Sequence, residues 1–150
     1  MPGVYYDDAV VGETIAHGLT RTVTETDNVL FCTLTHNPQP LHLDEEYAKN
    51  TEFGQRLVNS MFTASFAVGV SVEDTTMGTL VANLGFGEMT FPKPVFIGDT
   101  LRVVTAIKDK RESRSRPNAG IVTFTHSVFN QRDELVCSIL RIALLKKNEA

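Results

Sequence analysis

From residue 79 onward the chain alternates apolar and polar or β-branched positions in four runs, 79–91, 99–112, 119–131 and 134–147. Turn residues separate them at Pro92, Pro94, Gly98-Asp99, Pro117-Asn118 and Gln131-Arg132-Asp133. Period-two alternation bounded by such residues predicts strands, and strands in succession predict an antiparallel sheet. Residues 59–72 follow another rule: they are apolar on nearly every face of a helix and carry small side chains at Ser60, Ala64, Ser65, Ala67, Gly69 and Ser71. That pattern predicts a central helix enclosed on all sides, with neighbouring backbone close against it. Upstream, residues 19–25 are rich in β-branched side chains and predict a strand or extended arm. Capping-type residues at 24–27 then precede Val29, Leu30, Phe31 and Leu34, which predicts a short helix with Asp27 as its N-cap. Pro38 and Pro40 end that helix, because each lacks an amide donor and pushes the residue before it out of the α region. A loop therefore begins near Thr35. Residues 43–50 resume helical character with acidic groups in the first turn, and Gly54 closes this piece. A buried helix followed by such strands predicts an α+β fold in which a curved antiparallel sheet wraps around the helix.

The length of 150 residues and the 42% hydrophobic content fit one domain over 1–150. A net charge of −4 argues against a nucleic-acid partner, which requires a basic surface. No apolar run approaches the roughly 18 residues of a membrane span. The first residues are acidic where a secretory leader would be basic and then apolar, so a cytoplasmic protein without a membrane partner is expected. Cys32 and Cys137 are too few for a disulfide scaffold and too far apart for a ligand pair, and are read as reduced, buried thiols. His17 and His126 show no ligand spacing, there is no Gly-Xaa-Ser-Xaa-Gly elbow, and Gly85 and Gly87 fall in a strand run. Neither a metal nor a cofactor is expected.

Residues 35–47, Thr-His-Asn-Pro-Gln-Pro-Leu-His-Leu-Asp-Glu-Glu-Tyr, gather imidazoles, carboxamides and prolines at the place where a helix breaks. The run His42 to Ala48, and residues 91–101, Phe-Pro-Lys-Pro-Val-Phe-Ile-Gly-Asp-Thr-Leu, resemble motifs of the MaoC-like dehydratases and R-specific enoyl-CoA hydratases. The resemblance covers nearly the whole chain. It implies a hot dog fold and a hydratase or dehydratase that adds water reversibly to an enoyl-CoA thioester, with coenzyme A present only as part of the substrate. In the family's motif an aspartate precedes an Asn-Pro pair and a catalytic histidine. His42 matches the histidine, whereas Asn37 stands at the aspartate position, Gln39 at the asparagine position, and Asn59-Ser60 where a His-Gly pair opens the central helix.

Hydration needs a base for water, an acid for the α carbon and donors for the charge that builds on the thioester oxygen. An imidazole ordinarily titrates at about 6.5 and can take and give a proton in turn, so His42 is the first candidate; the plainer alternative is a residue that caps the loop end. Asn37 offers no basic site but can orient a water or a substrate oxygen, and Gln39 can bond within the loop or to the substrate. Two like charges about 5 Å apart repel by about 3 kcal/mol at an effective dielectric near 20, so exchanging aspartate for asparagine favours a substrate with its own carboxylate. Mesaconyl-CoA and itaconyl-CoA are of that kind. Backbone N–H groups at Asn59 and Ser60 suit an oxyanion, and either residue equally suits ordinary N-capping.

The basic run with Lys108, Lys110, Arg111, Arg114 and Arg116 can meet coenzyme A phosphates or be a solvated loop, and Arg56 or Lys93 can pair with a substrate carboxylate. His36 is read as exposed at a helix end, with an auxiliary proton-transfer role as the alternative. A hot dog thioesterase and a non-catalytic acyl-CoA-binding or regulatory protein are the competing functions. Open sheet edges predict a homodimer or dimer-based assembly.

Overall fold

A computed structural model describes residues 3–149; the single-domain expectation for 1–150 extends to Met1, Pro2 and Ala150, which lie outside them. Alternating and β-branched segments form β1 (Thr14–Thr22), β2 (Leu80–Thr90), β3 (Thr100–Glu112), β4 (Ala119–Phe129) and β5 (Leu135–Lys146). They make one five-stranded antiparallel sheet in the order β1-β3-β4-β5-β2. Between β1 and β2 run α1 (Glu25–Leu34), α2 (Pro40–Leu43), α3 (Glu45–Lys49) and the long α4 (Ser60–Thr75), which packs against β1, β3, β4 and β5. This is the hot dog arrangement.

Three expectations need correction. Thr24, not Asp27, caps α1: its hydroxyl accepts the Asp27 N–H at 3.2 Å, and the Asp27 carboxylate accepts the Thr24 N–H at 2.9 Å. The two close a reciprocal capping box, which places the carboxylate one turn inside the helix. The helix expected over 43–50 forms as α3, capped by Asp44, but the loop expected from Thr35 is interrupted by a separate one-turn helix, α2, that Pro40 begins. Finally, α4 is not enclosed on all sides. Thr63, Ala64, Ala67, Ser71 and Thr75 are buried against the sheet, whereas Ser65 and Gly69 are exposed and Phe62, Phe66 and Val70 only half-buried. One sheet layer shields one side of a helix, so the apolar opposite side of α4 faces outward with Phe31 and Leu19 along an open groove.

The inner face of the sheet holds two apolar clusters. One packs Leu101, Val103, Val128, Cys137 and Ile139 against Ala64 and Ala67 of α4. The other packs Ile107, Val122, Phe124, Ala143 and Leu145 against Tyr6 and Ala9. Between them, on the same face, lies a buried polar belt of His17, Thr105, His126 and Arg141. His17 Nδ1 meets Asp74 at 2.6 Å, and the Thr105 hydroxyl joins His17 Nε2 at 2.7 Å to His126 Nδ1 at 2.8 Å. Arg141 Nε donates to Asn83 on β2 at 2.9 Å.

Burial, with Arg141 and His17 nearby, pushes His126 down from 6.5 to about 3. The unfolded chain therefore binds a proton that the native state refuses throughout that window. The resulting stability is complete above about pH 6.5 and is lost as pH falls toward 3, by about 1.4 kcal/mol per pH unit. Urea midpoints measured between pH 7 and pH 4 should fall steeply, and His126→Gln should flatten that fall.

Candidate active site

The site is assembled where α1, α2 and the start of α4 meet. After α1, His36 adopts a left-handed backbone (φ 56°), and Asn37 Oδ1 accepts the Gln39 N–H at 3.0 Å. That turn delivers Pro40 to the first position of α2, where a fixed φ and a missing N–H cost nothing. His42 sits on this one-turn helix. Its Nδ1 lies 2.9 Å from the Leu57 carbonyl. A carbonyl can only accept, so Nδ1 carries a proton, and in the neutral ring Nε2 is the nitrogen with the free lone pair.

The strap leading into α4 is fixed from several directions. Leu57 N–H donates to Leu41 O at 3.1 Å and Val58 N–H to Val95 O at 2.9 Å. Asn28, fully buried in the middle of α1, binds three separate pieces of this frame. Its Nδ2 donates to His42 O at 3.0 Å and to Leu57 O at 3.1 Å, and its Oδ1 accepts the Asn59 N–H at 2.9 Å. Asn59 caps α4 by accepting the Met61 N–H at 2.9 Å, and its Nδ2 rests 3.6 Å from buried Cys32 Sγ. Phe62 N–H is taken by the Asn59 carbonyl. Among the described residues, the Ser60 N–H alone of these is left without an acceptor, at the positive end of the helix.

His42 and Ser60 line one cavity of about 340 Å³, closed by Phe53, Leu57, Val58, Thr63, Val136 and the 91–95 segment with Lys93. Its walls are mostly apolar with few polar groups, as a binding site for an acyl chain requires. The residues that carry the second imidazole nitrogen and the unpaired backbone donor line the same hollow, and such a pair is the equipment for proton transfer beside a developing oxyanion.

The other expected residues are placed as follows. Asn37 is half-buried, its side-chain oxygen engaged in the turn; Gln39 is exposed and its side chain makes no cap bond; neither lines the cavity. Arg56 is held by Glu45 at Nε (2.6 Å) and by Glu25 at Nη1 (2.8 Å), outside the cavity lining. Lys93 lies on the cavity wall, with its ammonium 3.7 Å from Glu134. Arg111, Arg114 and Arg116 occupy the β3–β4 hairpin at the far end of the sheet. Ten residues of β3 at about 3.4 Å each put that hairpin roughly 30 Å from the cavity end of the strand. His36 is exposed, and both cysteines are buried free thiols. Among the described residues no cluster of His, Cys, Asp and Glu is set to hold a metal, and no helix is long and apolar enough to cross a membrane.

Asn28 and Thr63 were not singled out from the sequence. The signal for Asn28 is a lone carboxamide one helical turn before Cys32, on the buried face of α1, where it requires partners from elsewhere in the chain.

A family model described as MaoC like domain matches residues 8–129. The chain is 31% identical over 147 residues to a mesaconyl-CoA hydratase of Cereibacter sphaeroides, covering 98% of this chain and 42% of that protein. It is 29% identical to a β-methylmalyl-CoA dehydratase of Chloroflexus aurantiacus, covering 99% of this chain and 42% of the relative. It thus spans less than half the length of these two curated relatives. A crystal structure from Archaeoglobus, described as a monoamine oxidase regulatory protein, superposes with a TM-score of 0.89 at 36% identity, over 98% of this chain and 97% of that one.

Replacing Asn28 by leucine leaves the His42 carbonyl and the Asn59 N–H unpaired in the interior, each at about 1–3 kcal/mol. Urea unfolding of Asn28→Leu should show a loss of about 3 kcal/mol. His42→Ala, which frees a carbonyl that Asn28 still serves, should lose far less.

Proposed function

Because the chain belongs to the family of MaoC-like domains, we propose that it is a cofactor-free hydratase or dehydratase, a carbon–oxygen lyase acting on an enoyl-CoA thioester. One observation carries this reading: the Leu57 carbonyl fixes the His42 tautomer, so Nε2 is the basic atom at a cavity shared with the free Ser60 N–H. In the hydration direction His42 Nε2 takes a proton from water while the oxygen bonds to the β carbon. The electrons of the double bond move onto the thioester oxygen, where Ser60 N–H stabilises the charge. The imidazolium then returns its proton to the α carbon, and the thioester carbonyl re-forms. A single imidazole serving both steps delivers oxygen and hydrogen to the same face of the double bond.

The substrate we infer is a short enoyl-CoA whose acyl chain carries a second carboxylate, of the mesaconyl or itaconyl kind. The relatives named for mesaconyl-CoA and β-methylmalyl-CoA support the same class. Lys93 on the cavity wall is the cation for the anionic end of the substrate, since Arg56 is already paired with two carboxylates. A homodimer is also proposed: the uncovered side of α4 presents Phe62, Phe66 and Val70 beside the exposed edge strand β1.

Loss of the conjugated thioester absorbance should be faster with mesaconyl-CoA than with crotonyl-CoA, and His42→Ala should slow it by about 10²–10⁴-fold. Preference for crotonyl-CoA would remove the dicarboxylate argument. Release of free thiol without loss of the double bond would mark a thioesterase, and binding without either reaction a regulatory protein. Sedimentation should show a dimer. An added Cβ at Gly69 meets nothing within 4 Å, so Gly69→Glu can fold and should give a monomer.

A further inference from the structure

Asn28 stands where neither the helix nor the core asks for a carboxamide. It is fully buried inside α1, on the face that also buries Cys32. Asparagine is a poorer helix former than leucine, and an unpaired carboxamide in the interior is costly, so leucine would have suited both the helix and the burial. What the carboxamide adds is a closed ring of hydrogen bonds. Its Nδ2 donates to the backbone carbonyl of His42 at 3.0 Å and to the Leu57 carbonyl at 3.1 Å, and that second carbonyl in turn receives His42 Nδ1 at 2.9 Å. Backbone and ring of one residue are thus held against a single NH₂ group. The same side chain takes the Asn59 N–H at 2.9 Å, one residue before the free donor of Ser60.

The helix that carries His42 cannot supply this hold itself, because α2 has only 4 residues and one turn is not stable alone. By contrast α1 has 10 residues closed by a capping box, and the Glu25–Arg56 ion pair ties it to the residue before Leu57. The carboxamide transfers the order of a capped helix to a short helix and a strap that lack it. We infer that Asn28 is a positioning residue for the His42 base, fixing which ring nitrogen lacks a hydrogen and how the ring stands to the Ser60 N–H. Being buried and absent from the cavity lining, it touches neither substrate nor reacting atoms. The inference rests on the hydratase reading for the need of a base at His42, whereas the fixing of the ring is a property of the fold that turnover is not needed to observe.

Two readouts separate positioning from stability. Nitrogen NMR shifts of His42, assigned by their absence from His42→Ala and recorded at pH about 8.5, above the ordinary imidazole range, should place the wild-type hydrogen on Nδ1 alone. Asn28→Asp keeps an acceptor for the Asn59 N–H but turns an acceptor toward both carbonyls. It should draw the two nitrogen shifts together and lower kcat by about 10²-fold on the enoyl-CoA that the wild type hydrates fastest, with KM and calorimetric binding of unreactive butyryl-CoA nearly unchanged. Asn28→Leu serves the same comparison if the aspartate variant does not fold. Val122→Ala, a truncation in the other apolar cluster, should lose stability yet keep kcat and the hydrogen at Nδ1. A wild-type ring with its hydrogen on Nε2, Asn28 variants that keep kcat, or an equal fall of kcat in Val122→Ala would overturn the inference. A tautomer fixed through Asn28 in a chain that hydrates no enoyl-CoA would overturn the hydratase reading alone.

Discussion

The carboxamide of Asn28 holds the frame of the candidate site together. One side chain, with no access to water, uses both of its ends on three backbone groups that are far apart in sequence: His42 O, Leu57 O and Asn59 N–H. The Leu57 carbonyl that it shares with His42 Nδ1 is the same one that decides which imidazole nitrogen is basic. The amide orientation is settled by the Asn59 N–H, which only an oxygen can accept, so the NH₂ end must face the two carbonyls. Distances among the base, the strap and the head of α4 therefore depend on one rigid planar group.

That frame works because α4 has two duties along its length. Its first turn contributes a capped but incompletely satisfied N-terminus to the cavity, while its buried face, Ala64, Ala67 and Ser71, supplies the small side chains against which the sheet closes. Bulkier residues there would separate helix from sheet and draw Ser60 away from His42. The remaining face stays uncovered in the single chain. Packing and chemistry are coupled at this helix rather than divided between a scaffold and a loop.

The strands were legible because Pro92, Pro94, Gly98, Pro117 and the 131–133 turn punctuate them, and period-two alternation gives a strong local signal. His42 was singled out through its motif, and it lies on the cavity wall. What escaped was whatever depends on a partner distant in sequence. Thr24 and Asp27 are both good caps, and only their reciprocal bond shows which one starts α1. Pro40 can stop one helix or start the next, and the left-handed His36 and the Asn37 turn decide for the start. The apolar pattern of α4 reports that all its faces seek cover, but not that the sheet of one chain covers only one side. Arg56 looked available until Glu25 and Glu45 were found around it. Asn28 and Thr63 are single polar residues in apolar surroundings, and sequence alone does not say what they face.

The polar belt across the sheet has a direction. The Asp74 carboxylate can only accept, so His17 Nδ1 carries a proton. With that ring neutral, Nε2 must receive the Thr105 hydroxyl, whose oxygen then receives His126 Nδ1–H, leaving His126 Nε2 bare in the interior. Adding one proton to His17 reverses each link and moves the hydrogen on His126 to its other nitrogen. Two rings on separate strands thus cannot choose their tautomers independently: an event at the partly exposed carboxylate is registered, without any atom heavier than hydrogen changing place, at a ring in the centre of the protein.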